Sequence, residues 1–141
     1  MRKKIVVAIA MYADPIHEGH LSHIEEAKKI GDKLIVFAGT EEQCIKKHGT
    51  AFHSWDGKVA LLKKLGADEV FPSILDENGT CSPALLKYRP DIFAKGEGEV
   101  IPQKEIDTCK EIGCEVRYGI GKRLNNSSRY FNKQRERENT N

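Results

Sequence analysis

The most constraining stretch of this chain is residues 10–20, which carry Tyr12, Asp14, Pro15, His17, Gly19 and His20 between two very different patterns. Before it lies an unbroken, β-branched apolar run over 5–10. Such a run suits a strand buried on both faces of a parallel sheet. After it, Leu21, Ile24, Ala27 and Ile30 recur at helical spacing, with Glu25, Glu26, Lys28 and Lys29 left for the wet side. Gly31 and Asp32 stop that helix, and a second apolar run over 33–38 follows. The first forty residues therefore predict a strand–helix–strand unit with a right-handed crossover. A strand that turns directly into a helix presents backbone N–H groups and the positive end of the helix dipole to an anion. His17 and His20 add donors at that point, and Gly19 allows close backbone approach.

The same alternation continues. Residues 39–54 read as loop or short helix and carry Lys46, Lys47, His48 and His53. A helix is predicted over 55–65, a third strand over 69–71, and a loop over 72–79. Ser82 is placed to cap a helix that has Pro83 at its first position and runs to Tyr88. A fourth strand over 92–94 ends in the glycine-rich turn Lys95, Gly96, Glu97, Gly98, Glu99. A helix over 102–112 and a fifth strand over 115–118 follow, then a last helix over 125–133 and a frayed polar tail over 134–141. This order predicts one α/β domain over 1–133 with a Rossmann-like, open, mostly parallel five-stranded sheet and helices on both faces. Ligands of such folds lie beyond the carboxyl ends of the strands, where the strand order reverses. Segments 11–20, 95–99 and 119–128 all fall at strand carboxyl ends and are expected to converge there.

Bulk properties exclude several classes. A net charge of +2 gives no case for nucleic acid, and no apolar run approaches the ~20 residues of a membrane span. The basic start, Arg2, Lys3 and Lys4, followed by the run over 5–10 lacks a small-residue cleavage site, so it reads as the first strand of a cytoplasmic protein. Four cysteines without paired spacing, Cys44, Cys81, Cys109 and Cys114, read as reduced thiols. There is no Walker loop, no nucleophile elbow, and only a fragment of a dinucleotide fingerprint at Gly96, Glu97 and Gly98. His23 continues the three-residue spacing of His17 and His20; it reads as a helix-surface residue, with a shared metal as the other reading. For His17 and His20 the plain structural reading is helix capping or a satisfied core position, and for Lys46, Lys47 and Lys58 it is solvated charge.

The segment from Asp14 to His20 resembles the His-x-Gly-His motif of the cytidylyltransferase-like nucleotidyltransferases. The similarity continues through 27–36, through Lys46 or Lys47, through Arg89 to Glu97, and through Asn126, Ser127 and Ser128. Two branches are most alike, the glycerol-3-phosphate cytidylyltransferases and the adenylyltransferase domain that makes ADP-heptose. Met11, Tyr12 and Ala13 stand where the family usually has Gly-Thr-Phe, and Gly57-Lys58 where an arginine is common. The resemblance implies transfer of CMP or AMP from CTP or ATP to a phosphorylated sugar or polyol, with Mg²⁺ accompanying the triphosphate. It implies catalytic roles for His17, His20, Lys46 and Lys47. Nucleotide contacts fall to Tyr12, Ala13, Asp14, Gly19, Lys95, Gly96, Glu97, Asn126, Ser127 and Ser128. Lys58 and Arg123 would contact the acceptor, and a homodimer is expected. The alternative is a nucleotide-binding module of the same fold without turnover.

Overall fold

A computed structural model describes residues 3–122. The expected helix over 125–133, the tail, and Arg123, Asn126, Ser127 and Ser128 lie outside the described residues. Five strands form one parallel sheet: β1 (Val6–Met11), β2 (Lys33–Ala38), β3 (Glu69–Pro72), β4 (Ile92–Ala94) and β5 (Glu115–Arg117). Their spatial order is β3-β2-β1-β4-β5. The chain winds outward from β1 in one direction and then restarts on its other side, so the order reverses between β1 and β4. The Rossmann-like fold predicted from the alternation is the one observed.

Alternate strand residues feed two apolar layers, as the pleat requires. Val7, Ile9, Leu34 and Val36 pack with Ile24 and Ala27 of α1 (Glu18–Lys28) and Leu62 of α3 (Trp55–Leu65). Ala8, Ile35, Phe37 and Phe93 pack with Ala84 and Leu85 of α4 (Ser82–Tyr88) and Cys109 of α5 (Gln103–Ile112). The amino ends of the strands are sealed by carboxylates. Asp32 accepts the N–H of Ile5 at 2.7 Å, Asp91 that of Val6 at 2.8 Å, and Asp68 that of Leu34 at 2.8 Å. The carboxyl ends are left for loops.

Two local expectations change, and one open alternative is settled. Helix α1 starts before Leu21, because His17 is its N-cap; Gly19 and His20 lie within the first turn. The segment after β2 contains a true helix, α2 (Glu41–His48), opened by a Thr40–Gln43 capping box and closed by Gly49 at φ 83°. Ser82 does not cap α4: the N-cap is Cys81, without a side-chain bond, and its N–H is taken instead by Glu105 Oε2 at 3.0 Å. All four cysteines are free and buried. No helix among the described residues is long and apolar enough to cross a membrane.

Candidate active site

The end of β1 enters a tight turn. Ala13 is fully buried at φ 54°, a left-handed conformation that costs an ordinary residue about 1–2 kcal/mol. The turn is held from beneath. Asp14 accepts the N–H of Phe52 at 2.7 Å and lies 3.3 Å from Lys58 Nζ, both side chains being buried. Burial alone raises the Asp14 carboxyl; the Phe52 N–H, the Lys58 ammonium and the His53 N–H outweigh it and hold the group below the usual carboxylate range. Lys58 also donates to the carbonyls of Tyr12 at 2.7 Å and Gly39 at 2.9 Å. It is therefore neither a solvated charge nor open to a ligand, and Asp14 is similarly occupied.

Beyond the turn, His17 and His20 close a reciprocal cap. His17 Nδ1 accepts the N–H of Gly19, and His20 Nδ1 accepts the N–H of His17, both at 3.1 Å. The two rings stack with centroids 3.9 Å apart. An Nδ1 that accepts a hydrogen bond carries no proton, so in each neutral ring the proton sits on Nε2. Burial lowers the pKa of His17 against the opposing charge of Glu18. Burial lowers that of His20 to about 3, helped by His17, His23 and Lys58. Both imidazoles are therefore neutral at pH 7 and offer an Nε2–H. The expectation of bare backbone donors at this helix end changes accordingly. The N–H groups of Gly19, His20 and Leu21 are all bonded to His17, and the imidazoles stand in their place.

These residues line a cleft of about 650 Å³ at the reversal between β1 and β4. Tyr12, Ala13, Asp14, Gly19 and Lys47 contribute to it from the first half of the chain, and Gly96 and Glu97 from the turn after β4. Gly121 and Lys122 bring in the segment after β5, so the described parts of the three converging segments do meet. Lys47 Nζ sits 3.9 Å from the centroid of the Tyr12 ring, a cation–π contact between two residues that line the cleft. Lys46, its neighbour on α2, is exposed and does not line the cleft. Lys95 also turns away, into a smaller cavity on the other sheet face.

His23 is the main departure from the sequence reading. It is buried, not on the helix surface; it also lines the cleft, and its Nδ1 pairs with the carbonyl of Ile120. Its position four residues before Ala27 put it on the apolar face, a signal open to the sequence. Among the described residues no group of three His, Cys, Asp or Glu side chains could hold a metal.

Comparison with known proteins accords with this geometry. A sequence model of the cytidylyltransferase-like family matches residues 12–130. Glycerol-3-phosphate cytidylyltransferase of Bacillus subtilis is 30% identical over 106 residues, 74% of this chain and 78% of that protein. Bifunctional protein HldE of Vibrio cholerae is 34% identical over 113 residues, 78% of this chain but 22% of that protein. The chain thus spans about a fifth of that relative. The lipopolysaccharide core biosynthesis protein from Thermoplasma volcanium has the same fold, with a TM-score of 0.63, 23% identity, and coverage of 82% of this chain and 94% of that one. With its capped histidine pair at the sheet reversal and a family match across most of its length, the chain belongs to the cytidylyltransferase-like family.

Proposed function

We propose that this protein transfers CMP or AMP from CTP or ATP to a phosphorylated sugar or polyol and releases pyrophosphate. The observation that carries the reading is the stacked, neutral pair His17 and His20 at the amino end of α1, in the cleft between β1 and β4. The Bacillus relative, by name a cytidylyltransferase acting on a polyol phosphate, supports the same chemistry.

In this reaction an oxygen of the acceptor phosphate attacks the α-phosphorus. The bond from that phosphorus to its bridging oxygen breaks, and pyrophosphate leaves with the bridging oxygen. No protein nucleophile is needed; the work is alignment and stabilisation of charge on the phosphoryl oxygens. Two Nε2–H donors suit that task. Each ring is polarised by the backbone N–H bonded to its Nδ1, and the positive end of the α1 dipole lies directly behind. Lys47 supplies a full positive charge along the cleft, while Lys46, exposed beside it, has the weaker claim. Gly96 and Glu97 are assigned to the base or ribose. By family resemblance Asn126, Ser127 and Ser128 take the β- and γ-phosphates, and Arg123 the acceptor. Asp14 and Lys58 keep the turn in shape instead of touching substrate. Mg²⁺ would accompany the triphosphate as its counter-ion and supply charge neutralisation on the phosphates; among the described residues no group of three His, Cys, Asp or Glu side chains could cage it. A cytoplasmic homodimer extends the family resemblance, and sedimentation would read the dimer directly.

The test is a pyrophosphate-release panel crossing CTP, ATP, GTP and UTP with sugar, polyol and choline phosphates. Release with CTP or ATP and a hydroxylated acceptor is expected. A CTP- or ATP-dependent rise in melting temperature with no pyrophosphate from any acceptor would establish a nucleotide-binding module instead.

A further inference from the structure

Two buried side-chain atoms among the described residues have no hydrogen-bond partner, His23 Nε2 and Glu105 Oε1. The second lies where the reaction above assigns nothing. On the α4–α5 side of the sheet, a cavity of about 120 Å³ is lined by Gln43, Ser73, Cys81, Lys95 and Glu105. Ala10, Met11 and Tyr12 wall both this cavity and the nucleotide cleft.

Lys95 and Glu105 are a buried pair of opposite charges, with side chains 10% and 6% exposed. Withdrawing two charges from water is repaid only by close geometry and full hydrogen bonding. Here neither condition holds. Lys95 Nζ lies 3.9 Å from Glu105 Oε1 and 3.5 Å from Glu99 Oε2, and rests over the Phe93 ring at 4.8 Å. Glu105 Oε2 takes the N–H of Cys81, which leaves Oε1 bare. The cavity therefore offers a carboxylate that only accepts beside an ammonium that only donates.

Hydroxyl groups satisfy both at once. Adjacent hydroxyl groups can donate to the carboxylate and accept from the ammonium. A phosphate would serve Lys95 but be repelled by Glu105, and a quaternary ammonium has no proton to give Glu105. The volume matches about four waters or one small diol fragment. We propose that Lys95 and Glu105 form the specificity pocket that reads the hydroxyl groups of the phosphorylated acceptor. Because Ala10, Met11 and Tyr12 line both spaces, a molecule seated there by its hydroxyl end adjoins the cleft across a shared wall. Naming that molecule the acceptor rests on the transferase reading above; the recognition of hydroxyl groups does not.

The experiment is a cycle that deletes from both sides. Calorimetric affinities of glycerol 3-phosphate, 3-hydroxypropyl phosphate, n-propyl phosphate and glucose 1-phosphate are measured on the wild type and on Glu105→Gln. Glutamine keeps an oxygen for the Cys81 N–H, removes the charge, and turns the bare acceptor into an NH2 donor. The wild type should favour a hydroxylated phosphate over n-propyl phosphate by about tenfold or more, and Glu105→Gln should remove most of that preference while leaving n-propyl phosphate nearly unchanged. A purely structural role would weaken every phosphate alike and overturn the proposal. So would a wild type that binds no hydroxylated phosphate better than n-propyl phosphate, a result that needs no variant to fold. Pyrophosphate release from the same compounds separates the two readings. Hydroxyl preference without turnover defeats the transferase and spares the pocket; turnover without hydroxyl preference does the reverse.

Discussion

His17 and His20 cap α1 through Nδ1 and line the cleft, and the proposed reaction gives their Nε2–H groups a second use. Alanine at either position therefore removes a cap as well as a donor, and loses stability along with rate. His17→Asn and His20→Gln separate the effects, because both replacements can still bond the helix start. We expect each to lower the turnover number by about 10²–10³-fold with a melting temperature close to wild type. Full activity in either would withdraw the assigned role. The same burial makes stability depend on pH. His20 titrates near 6.5 when unfolded but near 3 when folded, so between those values the unfolded chain binds the extra proton. Its contribution is complete above pH 6.5 and is lost as pH falls toward 3, at up to about 1.4 kcal/mol per pH unit. His17 and His23, both lowered, add in the same direction. Denaturant midpoints at pH 7, 5.5 and 4.5 should fall in that order, and His20→Gln should flatten the slope.

At the scale of elements, Lys58 is the tie. From α3 it reaches the carbonyls of Tyr12 after β1 and Gly39 after β2, the Asp14 carboxylate, and the Cys44 sulfur of α2. Three pieces of chain, the 12–14 turn, the end of β2 and α2, are thus tied to α3 by one ammonium. Replacing it with Met leaves Asp14 charged and buried without its partner. We expect Lys58→Met to cost about 3–5 kcal/mol by denaturant unfolding. Adding Asp14→Asn should recover part of that loss, whereas an unchanged double variant would show that the carboxylate is not the cause. The sequence read Lys58 as solvated charge or, by resemblance, as an acceptor contact; its place four residues before Leu62 puts it on the buried face of α3, but does not say which groups its ammonium meets there.

For the whole molecule, the cleft exists because the segment after β5 returns across the sheet to α1. Gly121 permits the contact: a Cβ there would stand 2.6 Å from His23 Cα, and its φ is 101°. Its carbonyl also holds the Glu97 N–H at 2.9 Å, joining two walls of the cleft. Gly121→Ala should push that segment off α1. The expected result is a raised nucleotide KM, roughly tenfold or more, together with a lower melting temperature, the combined backbone and close-contact cost of a glycine site of this kind. An alanine variant with unchanged KM would mean that the return segment does not shape the nucleotide site.

Sequence alone determined the alternation of strands and helices, the five strands, and the placing of His17, Gly19 and His20 at the first turn. Those features follow from local periodicity and turn chemistry, which a linear chain carries on its face. Tertiary structure decided which way the charged side chains turn. Lys47 lines the cleft while Lys46 does not, Lys95 meets Glu105 in the second cavity, and Lys58 and His23, each on the apolar face of its helix, find their polar partners inside. A lysine at a given position along a helix or strand end has the same local signature wherever its ammonium finishes. Only the partners brought in from distant parts of the chain, such as Asp14, Glu105 and the Ile120 carbonyl, settle where each one is stable.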